Sequence, residues 1–188
     1  MVIGVRDLVT IVHGMGFGVL FMLAFSGAIG LIYASATGTE IQLASSRPAR
    51  MFRFYLISMA VMSWLAVLSG SYIIYPWYRA VPPAGTTDLA HYPQRLLLSN
   101  PMTAEWHNVG MELKEHISWF TPIAITMVAF LFLHYGPKVA RHRQMRAAVL
   151  GFTAAAFLAT LVSGFFGAML NTRAPIGGGP EIILMGHK

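Results

Sequence analysis

Few residues in this chain can do chemistry, and most of them are histidines. There are seven histidines and seven acids in 188 residues, with no cysteine. Without cysteine the chain has no disulfide, thiolate-held iron–sulfur cluster, covalent c-type haem or thiol nucleophile. His13 and His116 are the informative pair. His13 lies inside the uncharged stretch Leu8–Thr39, and His116 opens the stretch His116–Pro137. Burying an ionisable group in apolar sequence is costly, which makes such a group a functional suspect by default. Two neutral imidazoles facing each other at one depth suit axial ligation of a haem iron. His107 is the alternative ligand. It is nine residues from His116, about 900° of helix rotation, so the two point opposite ways and cannot both reach one central iron. One should face inward and the other headgroups, a loop or a partner. Depth and apparent symmetry with His13 favour His116 as the inward one. His91 lies in a connecting stretch, His134 stands alone near the far end of its segment, and His142 and His187 read as solvated.

The acids and one lysine gather beside His116. Glu112, Lys114, Glu115 and His116 lie within five residues. Glu112 and His116 are i and i+4, on one helical face. Glu112 or a carbonyl could take the second ring N–H of a ligating His116. Alternatively, Glu112, Lys114 and Glu115 could receive protons from a quinol, or simply anchor an interfacial turn. A di-iron site normally needs two Glu-x-x-His pairs, and the chain has none. A mononuclear metal bound by His13, Glu112 and His116 remains open.

Membrane helices must position these groups. The chain is 56% hydrophobic and 11% charged, against about 25% charged for a soluble domain. That excludes disorder and disfavours a soluble enzyme. Charges bracket four runs: Leu8–Thr39, Phe54–Tyr78, His116–Pro137 and Ala147–Thr172. Each exceeds the roughly 20 residues that cross a bilayer. No run alternates as a barrel strand would. The expected fold is all-α, an integral membrane four-helix up-down bundle. Its helices fall at about 9–36, 51–76, 106–135 and 143–171, with a loop at 77–105 and a tail at 172–188. Pro122 should bend the third helix. Ala34-Ser35-Ala36 resembles a signal-peptide cleavage site. The apolar run is too long for one, and Arg6 is balanced by Asp7, so the segment is expected to stay as a helix.

The net charge of +6 is unevenly spread. Arg47, Arg50, Arg53, Lys138, Arg141, Arg143 and Arg146 lie in loops one and three with only Glu40, while the other side balances. By the positive-inside rule those loops are cytoplasmic and both termini outside. The cations thus report topology, and no nucleic-acid partner is expected. Tyr75, Trp77, Tyr78 and Trp106 are the expected outer aromatic belt, with Phe52, Tyr55 and Tyr135 the inner one.

A repeat relates the two halves. Ser69-Gly70 is followed nine residues after the glycine by Arg79-Ala80, and Ser163-Gly164 at the same spacing by Arg173-Ala174. His13 precedes Tyr33 by about the interval from His116 to Tyr135. Duplication of a two-helix hairpin would make His13 and His116 symmetry mates. Small residues gather at their level: Gly14, Gly16 and Gly18, then Ser69, Gly70 and Ser71, then Ser163, Gly164 and Gly167. Gly16, Gly70 and Gly164 would give a flat macrocycle room. Arg79 and Arg173 could take its propionates.

With His13, His116, the small-residue level and the helix count, residues 9–171 resemble the four-helix membrane b-type cytochromes. The resemblance is architectural. It implies one non-covalent haem b near the outer leaflet, and one-electron transfer with a quinol or partner cytochrome. The chain would then be a redox subunit of a respiratory or photosynthetic complex in a bacterial inner membrane. Its partners would be the bilayer and membrane or periplasmic redox subunits. The loop bearing Trp77, Tyr78, His91, Tyr92 and Trp106 would be the docking surface. No facing histidine pair exists at the inner side, so one outer haem could not carry electrons across about 30 Å of hydrocarbon. Two other classes stay open: a non-haem metal protein, and a cofactor-free structural or assembly subunit.

Overall fold

The computed structural model describes residues 4–37, 47–136 and 138–176. The described residues form helices and connections without a strand. Four helical rods are long and apolar enough to cross a membrane. Helix one runs through Val5–Ile11, Val12–Val19 and Leu20–Thr37. Helix two joins Arg47–Ser69, Gly70–Ile74 and Tyr75–Tyr78. Helix three joins Pro101–Glu105, Trp106–Met111, Glu112–Ser118 and Phe120–Tyr135, and helix four is Arg143–Arg173. Each rod packs on its sequence neighbour and helix four closes on helix one, which is the up-down bundle expected. Helices one and three are therefore diagonal.

Local chemistry sets the helix ends. Helix two starts earlier than the charges suggested, because arginine stems can lie along an apolar rod while their heads reach water. Helix three starts at Pro101, ahead of the expected 106. Asn100 caps it, its side chain accepting from the Met102 N–H at 2.9 Å, and proline at the first position needs no donor there. The helix is interrupted at Trp119. Pro122 has no N–H for the Ser118 carbonyl, four residues back, which places the expected irregularity at that point.

Three of the four rods contain a π-helical stretch: Val12–Val19, Gly70–Ile74 and Trp106–Met111. All lie toward the end that holds Val5, Tyr78, Pro101 and Arg173, the end the charge bias leads one to expect outside. The wider turn is a less common geometry that recurs at functional sites.

The core has three levels. The inner half is apolar: Phe25, Leu56, Met59, Ile125, Val128 and Val149 are fully buried there. A cap of Tyr78, Leu97, Met111, Leu170 and Ala174 closes the outer end. Between them lies a band of small and polar residues: His13, Ser69, Gly70, Lys114, Ser163 and Gly167. The outer surface carries large apolar groups such as Leu23, Phe54 and Leu158, all more than 60% exposed. Lipid suits them and water does not.

The loop at 77–105 corrects the expected aromatic belt. Trp77 and Tyr78 are 3% and 2% exposed, inside the protein and not at headgroups. The short helix Pro93–Leu98 folds down, burying Pro93 and Leu97. Arg6 stands over the Trp77 ring, 5.5 Å from its centroid, and ties the start of helix one to the same cap. At the inner end Phe52 is likewise buried, edge-on to Phe132 at 5.2 Å.

Candidate functional site

His13 is seated on helix two. Its Nδ1 lies 2.9 Å from the Ser69 hydroxyl. Ser69 Oγ also lies 3.2 Å from the Ala66 carbonyl; with its hydrogen there it accepts from His13 Nδ1, the tautomer that leaves the Nε2 lone pair free. This is how a metal-binding imidazole is held, with one nitrogen tied to a neighbour and the other left basic. Below the ring is Gly70. A Cβ there would stand 2.9 Å from His13 Cε1, closer than packed carbons approach. The small-residue signal at Gly70 thus has a definite meaning.

His116 has the same proton arrangement in a different place. Its Nδ1 is 2.7 Å from the Glu112 carbonyl oxygen. A carbonyl only accepts, so Nδ1 carries the hydrogen and Nε2 is bare. The ring is exposed and lines an open apolar groove of about 400 Å³ with Phe120, Ala155, Leu158, Ala159 and Val162. The groove runs along the seam of helices three and four. As placed, the structure does not bring His13 and His116 onto one cavity.

His107 is the inward one, 8% exposed. Its Nδ1 meets the Tyr78 hydroxyl at 2.8 Å and its Nε2 meets Gln94 at 3.2 Å. Whichever way the Gln94 amide is turned, both ring nitrogens are engaged. His107 therefore has no free lone pair for iron, and acts as a peg joining helix two, the Pro93–Leu98 helix and helix three. Sequence reasoning missed both its partners. Nothing in the pattern marks Gln94, and Tyr78 was read as belt.

The charged cluster divides. Glu112 is exposed. Glu115 turns inward beside Tyr75, and its Oε1 is buried without a partner. Lys114 also turns inward. Its stem packs on Gly167, where a Cβ would stand 3.0 Å from Cε, and its charge lies within range of His13. Lys114 lines a cavity of about 40 Å³ with Gly70, Tyr75, Tyr78, Gly167 and Asn171. That volume holds water and is far too small for a macrocycle.

The remaining candidates lie apart. A Cβ on Gly16 would meet only the Val12 side chain, at 3.6 Å, and one on Gly164 would meet nothing within 4 Å. Arg79 stacks over the Tyr75 ring, 5.0 Å from its centroid. Arg173 is exposed at the last turn of helix four. His91 is exposed and Tyr92 and Trp106 are half-buried. Among the described residues no three His, Asp or Glu side chains form a group able to hold a metal ion, so the alternative set of His13, Glu112 and His116 is not assembled.

No protein-family model, no curated protein and no solved structure matches this chain.

Proposed function

We propose that this integral membrane chain is an electron-transfer subunit that holds one b-type haem in the outer half of the bilayer through His13. The observation that supports this most is the seating of His13: Nδ1 hydrogen-bonded to Ser69, a glycine beneath the ring and π-helical turns at the same level. The donor chemistry of His116 fits the same group, with Nε2 bare. His116 faces the groove on the seam of helices three and four and not the band, so a haem held through both rings would require helix three to turn and the cavity of about 40 Å³ beside the band to widen.

A bound haem supplies a one-electron couple that protein side chains lack. The chain's own residues do the rest. Ser69 fixes the His13 ring and its tautomer. The apolar core bounds the band on one side and the cap bounds it on the other. Tyr75, Glu115 and Lys114 lie beside the band on the outer side, where a membrane quinol would give up protons as it loses electrons. A quinol and a neighbouring membrane or periplasmic redox subunit are thus the proposed donor and acceptor, at the outer face of a bacterial inner membrane. Extraction of purified protein into acidified organic solvent tests the cofactor directly. The reading requires about one haem per chain, all of it extractable because no cysteine can bind it covalently. Substoichiometric traces, or none, would overturn it.

Orientation is tested separately. Because the chain has no cysteine, Arg95→Cys and Arg143→Cys each carry one thiol. A membrane-impermeant thiol reagent on intact cells should label Arg95→Cys and spare Arg143→Cys. The reverse pattern would invert the topology.

A further inference from the structure

Polar atoms without a protein partner gather at one level of the bundle. Among the described residues, Thr10 Oγ1, Glu115 Oε1 and Ser163 Oγ are buried without a hydrogen-bond partner. They come from helices one, three and four, and all lie at the band or beside it. Thr10 is one turn from His13 on helix one. Ser163 is one turn from Gly167, the glycine against which the Lys114 stem packs. Glu115 sits beside Tyr75. Arg6 Nε lies farther out and Thr153 Oγ1 farther in. A buried hydroxyl or carboxylate oxygen without a partner is costly, and such groups are normally satisfied by ordered water.

Beside these atoms a narrow cavity pierces the cap. It has a volume of about 40 Å³, begins at Gly70, Lys114 and Gly167, and ends at Asn171 and Ile176. Asn171 is exposed. Its side chain accepts the Ile176 N–H at 3.5 Å, so the chain leaving helix four frames the mouth. A polar space of that size takes water and nothing much larger. The opposite end is shut. Leu56, Met59, Ile125 and Val128 are 0% exposed there, and close-packed apolar side chains hold no water.

We infer that the half of the bundle on the side of Tyr78 and Arg173 is an aqueous vestibule. Water enters at Asn171, passes Tyr75 and Lys114, and ends at the band, where it serves Glu115, Ser163 and Thr10. Its ligand is water, with solutes no larger than water. Gly167 keeps the passage open: a Cβ there would stand 3.0 Å from Lys114 Cε, so a side chain at this position presses Lys114 into the space. The vestibule stands apart from the haem reading, because the polar atoms it serves belong to the chain itself.

Hydroxyl-radical labelling of the purified chain in heavy-oxygen water tests it, since radicals made from internal water mark the side chains that water touches. Tyr78 and Met111 line the cavity and are 2% and 6% exposed, while Trp77 and Met59 lie off it at 3% and 0%. Corrected for intrinsic reactivity, Tyr78 and Met111 should take up heavy oxygen several-fold faster than Trp77 and Met59. Gly167→Leu, of matched helicity and elution, should slow Tyr78 and Met111 to the rate of the other pair. Equal labelling of all four in wild type, slow or fast, would overturn the inference. So would fast labelling of Tyr78 and Met111 that Gly167→Leu leaves unchanged, because that water would come from outside the cavity. If Gly167→Leu does not fold, the wild-type contrast decides by itself. A chain without haem that still shows the contrast would sink the functional reading and leave the vestibule standing.

Discussion

Gly70→Leu should release the His13 imidazole from its seat and with it the cofactor. At this glycine a Cβ alone would stand 2.9 Å from His13 Cε1. The obstructing atom belongs to a ring held by a 2.9 Å hydrogen bond to the preceding residue, Ser69, so the ring cannot move away and keep its bond. A leucine adds three more carbons in the same place. Overpacking of this kind costs about 1–3 kcal/mol, and that amount is enough to exchange one imidazole position for another. The ring should swing off Ser69, leaving a buried hydroxyl and an undirected Nε2. The bundle should survive, since Gly70 lies in a π-helical stretch outside the apolar inner core. The expected result is a helical, monodisperse protein with at least a 10-fold loss of bound haem. Gly164→Leu should leave the His13 seat intact, because nothing stands within 4 Å of that position. Retention of full haem content by Gly70→Leu would show that the seat has no part in holding the cofactor.

His107→Ala should do the opposite: damage the fold and spare the His13 ligand. The His107 ring is buried, with hydrogen bonds at 2.8 Å to Tyr78 and 3.2 Å to Gln94. Its removal leaves the Tyr78 hydroxyl and the Gln94 amide without their partner. Each unsatisfied buried group costs about 1–3 kcal/mol, and polar contacts in membrane bundles fall at the low end. A total near 2 kcal/mol is expected, read as a lower midpoint in thermal or denaturant unfolding in detergent. The Pro93–Leu98 helix should loosen first, since Gln94 is its link to His107. Limited proteolysis between Arg79 and Asn100 would detect that. If His107→Ala instead removes the chromophore while stability is unchanged, His107 is the ligand and the roles of the two histidines are exchanged.

Both predictions separate what composition could reveal from what it could not. The four rods, their order and the level of the small residues were legible, because apolar runs and charge breaks follow directly from bilayer thickness. Ser69-Gly70 was legible as half of a repeat. Which histidine of helix three faces inward was not. An α-helix turns about 100° per residue, and nine residues put His107 and His116 on opposite sides. The two rings do part, with His107 buried and His116 exposed. The six π-helical residues Trp106–Met111 wind more slowly than α-helix, so the phase carried through them changes, and no apolar period announces a π turn. Asn100-Pro101 was a readable helix start that the charge-based boundary passed over. Trp77 and Tyr78 looked like belt residues because their type is common to headgroup regions and to buried caps alike. Only the packing of Leu97 against Tyr78 and of Arg6 over Trp77 decides the matter.

The central claim is that His13 is an iron ligand. The reduced-minus-oxidised visible spectrum of purified wild type, beside His13→Ala of matched helicity and elution, tests it most directly. The account predicts a sharp reduced α-band in wild type that is absent from His13→Ala. A colourless wild type, or a band unchanged by His13→Ala, would contradict it.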